Sequence, residues 1–104
     1  MAKGMGNMMK QAQQMQRKME EMQKELETRE VEASAGGGMV TVRVSGKQQV
    51  LGITIEPDAV DPQDVDMLQD LIMVAVNEGV RKSQEMVQTE MSKLTGGFNI
   101  PGLF

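Results

Sequence analysis

The 104-residue sequence contains no cysteine, histidine, tyrosine or tryptophan, and its only aromatic residues are two phenylalanines. Without cysteine the chain can form neither a disulfide nor a thiolate metal site. It also lacks the commonest general base, the thiolate nucleophile and the phenolic acid of enzyme sites. No spacing of the remaining Ser, Thr, Lys, Asp and Glu residues resembles a catalytic arrangement. We therefore expect no enzyme, no cofactor and no small-molecule substrate.

Long hydrophobic runs are also missing. No segment reaches the roughly 18 apolar residues of a membrane span, and the first residues lack the apolar stretch of a signal peptide. We therefore expect a cytoplasmic protein with no membrane partner. The length suits one domain covering 1–104. Because aromatic residues are few and methionine, at 12 residues, is common, we expect oligomerisation to supply additional buried surface.

The chain opens with a predicted helix over about 5–28 that carries a heptad repeat. Its apolar residues are spaced alternately three and four apart, as at the a and d positions of a coiled coil; they are Met5, Met8, Ala12, Met15, Met19, Met22 and Leu26. Such a stripe can pack in a core or subunit contact, or it can form an adaptable groove that grips another protein. The sequence alone leaves both interpretations open.

Basic residues follow the same repeat on the opposite side of this helix. Lys3, Lys10, Arg17 and Lys24 are each seven residues apart, and 1–19 contain no acid. At about 1.5 Å per residue the line spans about 31 Å, close to one turn of B-DNA. The line can follow DNA phosphates, or it can be a solvated face with i,i+4 ion pairs; the candidate pairs are Arg17–Glu21, Glu20–Lys24 and Glu25–Arg29.

The net charge of −4 has the opposite sign to that of most nucleic-acid-binding domains. The acids are concentrated outside the first helix, and one cluster contains Asp58, Asp61, Asp64, Asp66 and Asp70. This cluster lacks the alternating ligands and central glycine of a calcium loop. Acidic residues at a helix N-terminus complement the helix dipole, so we expect no metal site here.

Between 30 and 56 the hydrophobic period changes to two, which is typical of half-buried strands. Glycine-containing turns at 36–38 and 45–47 separate three alternating segments. Their apolar residues are Val31, Ala33, Ala35, Val40, Val42, Val44, Leu51, Ile53 and Ile55. The pattern predicts a three-stranded antiparallel meander with one apolar face, which helices must cover.

A second helix is predicted over 62–94, with Asp61 as N-cap and Pro62 at the first helical position. Its segment 71–76 is apolar on all sides, so one side can pack on the sheet and another on a second subunit. The predicted subunit contacts are Leu68, Leu71, Ile72, Ala75 and Val76. Residues 96–104 form an apolar tail whose proline and glycines cannot continue the helix.

Several segments resemble the YbaB/EbfC family of nucleoid-associated proteins. They are Asn7-Met8-Met9-Lys10-Gln11-Ala12-Gln13-Gln14-Met15-Gln16, the three strands, the acidic start of the second helix, Leu68 to Glu78, and the terminal Gly-Phe-Asn-Ile-Pro-Gly-Leu-Phe. The resemblance implies an α+β subunit of order α-β-β-β-α and an intertwined homodimer with projecting helices. It also implies a bacterial protein that binds duplex DNA at the nucleoid.

The resemblance carries basic helix residues of the family over to Lys10, Arg17, Lys18 and Lys24, and it places Arg81 and Lys82 in a second basic helix. We predict duplex-DNA binding mainly through phosphates, with weak sequence selectivity and an influence on gene expression. The predicted DNA-binding residues are Lys3, Lys10, Gln11, Gln14, Arg17, Lys18, Lys24, Arg81 and Lys82. The alternative is a protein-interaction module with Met-rich helical arms, in which DNA binding is incidental.

Overall fold

The computed structural model describes residues 2–96, with side chains over 6–94. Helix α1 (Ala2–Thr28) leads into strands β1 (Glu30–Ala35), β2 (Val40–Ser45) and β3 (Val50–Ile55). A short 3-10 turn (Pro57–Ala59) and the long helix α2 (Val65–Gly96) follow. The predicted α+β class and the order α-β-β-β-α are confirmed. The predicted apolar tail lies outside the described residues beyond Gly96.

The three strands form an antiparallel meander in the order β1-β2-β3. Three consecutive glycines with positive φ, Gly36 to Gly38, make the turn between β1 and β2, a backbone conformation that glycine adopts without steric cost. In the β2–β3 pair, Val42 lies opposite Ile53, but the register shifts next to Arg43 so that Val50 faces Val44. The predicted alternation of β3 therefore fails at Leu51, because a β-bulge inserts one extra residue.

The hydrophobic core lies between the sheet and α2. Val40, Val42 and Val44 on the central strand are completely buried, and each contributes about 1.5–3 kcal/mol by leaving water. Helix α2 approaches closely at Gly79, where a Cβ would lie 2.7 Å from the Val44 side chain. The helix packs on β1 and β2. On β3, Ile55 packs partly buried against the core, and Val50, Leu51 and Ile53 remain exposed. Helix α2 therefore covers β1 and β2 and leaves most of β3 uncovered.

Helix α2 begins at Val65, so the predicted start at 62 was wrong by three residues. The N-cap is Asp64, whose Oδ1 accepts the N–H of Met67 at 3.2 Å. Asp61 instead accepts the N–H of Gln63 at 2.9 Å in the preceding turn. Both aspartates can cap a backbone N–H, and the helix starts after the second because Asp61 and Pro62 belong to that turn.

Candidate nucleic-acid interface

Helix α1 projects from the rest of the molecule as an arm, and only its last turns contact the body, the name used here for residues 29–96. The described chain measures 76 × 26 × 16 Å and has a radius of gyration of 20.4 Å, against about 13 Å for a compact domain of 100 residues. Leu26 is 1% exposed, and its carbonyl lies so close to Gly46 that a Cβ there would be 1.9 Å from the oxygen. Contact with the turn after β2 therefore holds the base of the arm.

Two ion pairs lie at the junction of arm and body. Glu27 pairs with Lys47 at 3.9 Å, and Arg29, just beyond the helix, pairs with Glu90 of α2 at 3.5 Å. The candidate Glu25–Arg29 pair of the solvated-face alternative does not form, because Arg29 lies beyond the end of α1 and pairs with Glu90 instead. The side chains of both junction pairs are partly exposed, and exposed ion pairs contribute little to stability.

The basic side chains of the arm are exposed and unpaired. Lys10, Arg17, Lys18 and Lys24 are solvent-exposed, and among the side chains described over 6–94 none lies in an ion pair with them. The candidate i,i+4 pairs Arg17–Glu21 and Glu20–Lys24 of the solvated-face alternative are not among the ion pairs of the described side chains. The side chain of the predicted Lys3 lies outside the described residues.

Amide side chains lie next to these charges. Gln11, Gln14 and Lys18 line a shallow hollow of about 250 Å³ together with Met15. On another face of the helix, Arg17 lines a second hollow with Gln13, Gln16 and Glu20. The predicted residues Gln11, Gln14 and Lys18 are therefore brought together, because positions 11, 14 and 18 share one face of an α-helix.

The predicted basic residues of α2 are engaged within the chain. Arg81 forms ion pairs with Glu78 and Glu85, and the hydrogen bond from Arg81 lowers the pKa of Glu78. Lys82 donates a hydrogen bond at 3.1 Å to the main-chain oxygen of Glu32, at the edge of the sheet. The structure therefore does not bring Arg81 and Lys82 together with the unpaired cations of the arm.

A division between arm and body follows. On the arm, every basic side chain described is unpaired. On the body, the described basic side chains have acidic or main-chain partners; they are Arg29, Arg43, Lys47, Arg81, Lys82 and Lys93. Sequence reasoning missed this division, because the partners of Arg29 and Arg43 come from distant parts of the chain.

The apolar residues of α2 that were predicted as subunit contacts pack first within the chain. Ala75 is completely buried in the core, so it has no surface left for a second subunit. Partly buried apolar side chains pack around it; they include Leu68, Leu71, Ile72 and Val76. The exposed apolar surface lies elsewhere, on Ile53 of β3 (46% exposed) and on Met73 and Val74 of α2. Sequence reasoning missed these residues, since periodicity does not show which strand a helix leaves uncovered.

Two members of the acidic cluster, Asp61 and Asp64, accept main-chain hydrogen bonds at the start of α2. Over the described residues, no group of three or more acidic side chains is placed to hold a metal ion. Within the same residues, no helix is long and apolar enough to cross a membrane.

Comparisons with known proteins agree with this architecture. The sequence profile of the YbaB/EbfC DNA-binding family matches residues 1–98. A nucleoid-associated protein of Alkaliphilus metalliredigens is 64% identical over 103 residues, covering 99% of this chain and 90% of the relative. One from Desulforamulus reducens is 62% identical over 104 residues, covering 100% and 99%.

The fold is also found in a solved structure. The crystal structure of an uncharacterized protein from Helicobacter pylori superposes with a TM-score of 0.71 at 18% identity, covering 84% of this chain and 91% of that one. At this identity the likeness concerns the fold alone. The family profile and the two relatives span nearly the whole chain. The chain therefore belongs to the YbaB/EbfC DNA-binding family.

Proposed function

We propose that this protein is a nucleoid-associated homodimer that binds duplex DNA through the basic side chains of α1. The observation that carries the proposal is the division of basic residues between arm and body. Lys10, Arg17, Lys18 and Lys24 have no partner among the described residues, whereas each described basic side chain of the body has an acidic or a main-chain partner. Cations without an intramolecular partner are free to replace the counterions around DNA phosphates.

The geometry of the arm suits a backbone contact. Lys10, Arg17 and Lys24 repeat every seven residues along one face and span about 21 Å. Gln11 and Gln14 beside Lys18 add amide donors, which commonly contact phosphate and sugar oxygens. Phosphate contacts position a protein without reading bases, so the selectivity for sequence is weak.

The body restricts DNA to the arm. Residues 1–19 hold four basic and no acidic side chains, and the body, residues 29–96, holds six basic and eleven acidic ones. The resulting negative potential of the body repels a polyanion. A chain with a net charge of −4 can therefore bind DNA through one segregated positive segment.

The uncovered part of the sheet supports a homodimer. Val50, Leu51 and Ile53 of β3 are exposed, and so is Met73 of α2 (56% exposed). Clustered exposed apolar side chains commonly mark an association site. A second subunit that covers this subunit face, defined as Val50, Leu51, Ile53 and Met73, completes the core that α2 leaves open.

The DNA interface is tested by replacing Lys10, Arg17 and Lys24 with Gln and measuring fluorescence anisotropy of a labelled duplex at several salt concentrations. We expect weaker binding, and a plot of log K against log salt that becomes shallower by about 0.9 for each phosphate that the variant no longer neutralises. The matched control replaces Arg43, Lys47 and Lys93 of the body with Gln, which changes the net charge equally and leaves the affinity nearly unchanged. Equal weakening in both variants would show that net charge, rather than the arm, governs binding.

The dimer is tested separately by Ile53→Asp. Because Ile53 is already half exposed in the single chain, the substitution spares the core and places a charge in the subunit face. We expect sedimentation velocity to report a monomer, while Thr54→Asp on the other face of the same strand remains a dimer. An unchanged dimer with Ile53→Asp would exclude this face as the subunit contact.

A further inference from the structure

Among the side chains of the heptad stripe that the structure describes, Leu26 alone is fully buried. Leu26 is buried against the body, but Met8 is 71% and Met19 37% exposed. We define the open seam as Met8, Ala12, Met15 and Met19, which all lie on the arm before the body begins. A 3.5-residue repeat suits packing against another helix by knobs into holes, and within the described chain no helix covers this part of α1.

We propose that the open seam pairs with the same seam of a second copy, from another dimer, as an antiparallel two-helix coiled coil. In this register Met8 of one copy faces Met19 of the other, and Ala12 faces Met15. The register uses every position of the open seam and leaves Leu26 in its own body. The open seam is also separate from the subunit face, because Arg29, directly after α1, pairs with Glu90 near the end of α2, whereas the subunit face includes Met73.

The charges of α1 favour a second copy in this orientation. The helix has no acid in its first turn and no basic residue in its last, so its charges oppose its own dipole. Residues 2–19 contain only basic charges, and 20–28 contain four Glu and one Lys. An antiparallel copy places the N-terminal turns of one helix beside Glu20, Glu21 and Glu25 of the other. A parallel copy would instead align the two basic N-terminal segments with each other, which is unfavourable.

Pairing along the open seam leaves the basic line free. Lys10, Arg17 and Lys24 occupy the heptad position opposite the seam, so a pair of arms carries one basic line on each outer side. Two packed helices are about 20 Å across. Each side can therefore meet a different duplex, and the pair bridges two DNA duplexes. The bridging step rests on the proposed function; the pairing of arms does not.

The pairing is tested by sedimentation velocity of the full chain over a range of concentrations. We expect the wild-type chain to form species larger than a dimer as the concentration rises. The variant with Met8→Gln and Met19→Gln should lose these species, because polar side chains then meet at both outer layers. The matched variant with Met8→Leu and Met19→Leu should keep them, since leucine packs well at these positions. Absence of larger species in the wild type, or their persistence in the Gln variant, overturns the pairing.

The orientation is tested by disulfide trapping, which is simple because the chain has no cysteine. Met8→Cys mixed with Met19→Cys should give a mixed disulfide that joins two dimers, and Met8→Cys alone should give little product. Efficient cross-linking of Met8→Cys with itself would indicate a parallel pair and overturn the proposed arrangement. A mixed product that stays within one dimer would also overturn it.

Bridging is tested by capture of a free labelled duplex on beads that carry a second duplex. The wild-type protein should capture the free duplex. The variant with Met8→Gln and Met19→Gln should bind a single duplex with the wild-type salt dependence but should no longer capture a second one. If the variant with Met8→Gln and Met19→Gln captures the free duplex as well as the wild-type protein does, the inference is overturned. If the wild-type protein binds no single duplex, the proposed function fails, and the sedimentation result still decides the pairing. If Met8→Gln and Met19→Gln abolish only the binding of a different protein, the open seam is a groove for that protein and the inference fails.

Discussion

The arm and the body of this small protein differ in how far their side chains are buried. In the body, three valines of β2 are buried without measurable exposure and α2 lies close enough to require Gly79. Over residues 6–25 of the arm, apolar and basic side chains alike are exposed or half-buried. The body therefore carries most of the packing energy, and the described side chains of the arm before Leu26 remain accessible to solvent. Substitutions in the two regions should therefore have different effects on stability, and three pairs of substitutions test this comparison.

The largest effect is expected at the junction, from Gly46→Ala. The added Cβ would overlap the backbone oxygen of Leu26 at 1.9 Å, and backbone cannot move aside as a side chain can. We expect a decrease of about 3 kcal/mol in the free energy of unfolding, the upper end for overpacking, from urea unfolding at one fixed protein concentration.

The control for this substitution is Gly6→Ala in the arm, where nothing lies within 4 Å of the added Cβ. Alanine favours a helix over glycine by up to about 1 kcal/mol, so helix content by circular dichroism should be kept or rise. Destabilisation by both substitutions would show that the arm is packed as tightly as the body.

A smaller difference is expected between Val42→Ala and Met19→Ala. Val42 is completely buried at the centre of the sheet, so its truncation leaves a cavity and should cost about 2 kcal/mol. Met19 is exposed, and its truncation should leave the urea midpoint of a dilute sample nearly unchanged. Comparable destabilisation at Met19 under dilute conditions would mean that the arm is folded against the body.

The smallest effect concerns pH. The hydrogen bond from Arg81 holds the pKa of Glu78 below its ordinary value of 4.5. A carboxyl whose pKa is lowered on folding stabilises the fold above its unfolded pKa, and this contribution disappears as the pH falls through the folded pKa. The stability difference between the wild type and Arg81→Gln should therefore be small at pH 7, because the pair is exposed, and should vanish as the pH falls through the lowered pKa of Glu78.

The matched control for pH is Arg17→Gln in the arm. Arg17 has no ion pair among the described side chains, so the same change of net charge should give a stability difference that does not depend on this titration. A difference that persists for Arg81→Gln in acid, measured by urea midpoints, would assign the effect of Arg81 to packing rather than to Glu78.

Local patterns in the sequence predicted most of the fold. The heptad spacing indicated α1, the alternation around Val42 indicated the strands, and the glycines at 36–38 indicated the first turn. The start of α2 was misplaced because Asp61 and Asp64 both fit a capping position, and only tertiary structure selects between them. The bulge at Leu51 arises from pairing with a distant strand, which periodicity does not report.

The candidate site was predictable only in part. The exposed cations of the arm follow from their heptad position opposite the apolar stripe. The ion pairs of Arg81 with Glu78 and Glu85 are visible as i−3 and i+4 neighbours, but the family resemblance assigned Arg81 to DNA. The exposed surface of Ile53 and Met73 depends on where α2 crosses the sheet, and this is a property of the packed structure.

The short connection at the base of α1 makes the arm a lever. Only Arg29 separates the end of α1 from the first residue of β1, and the contact of Leu26 with the turn at Gly46 fixes the angle at which the helix leaves. The helix is about 40 Å long, so a rotation of about 10° at its base moves its tip by about 7 Å. In the proposed homodimer, small adjustments of packing at one buried leucine would thus change the distance between the tips of the two arms.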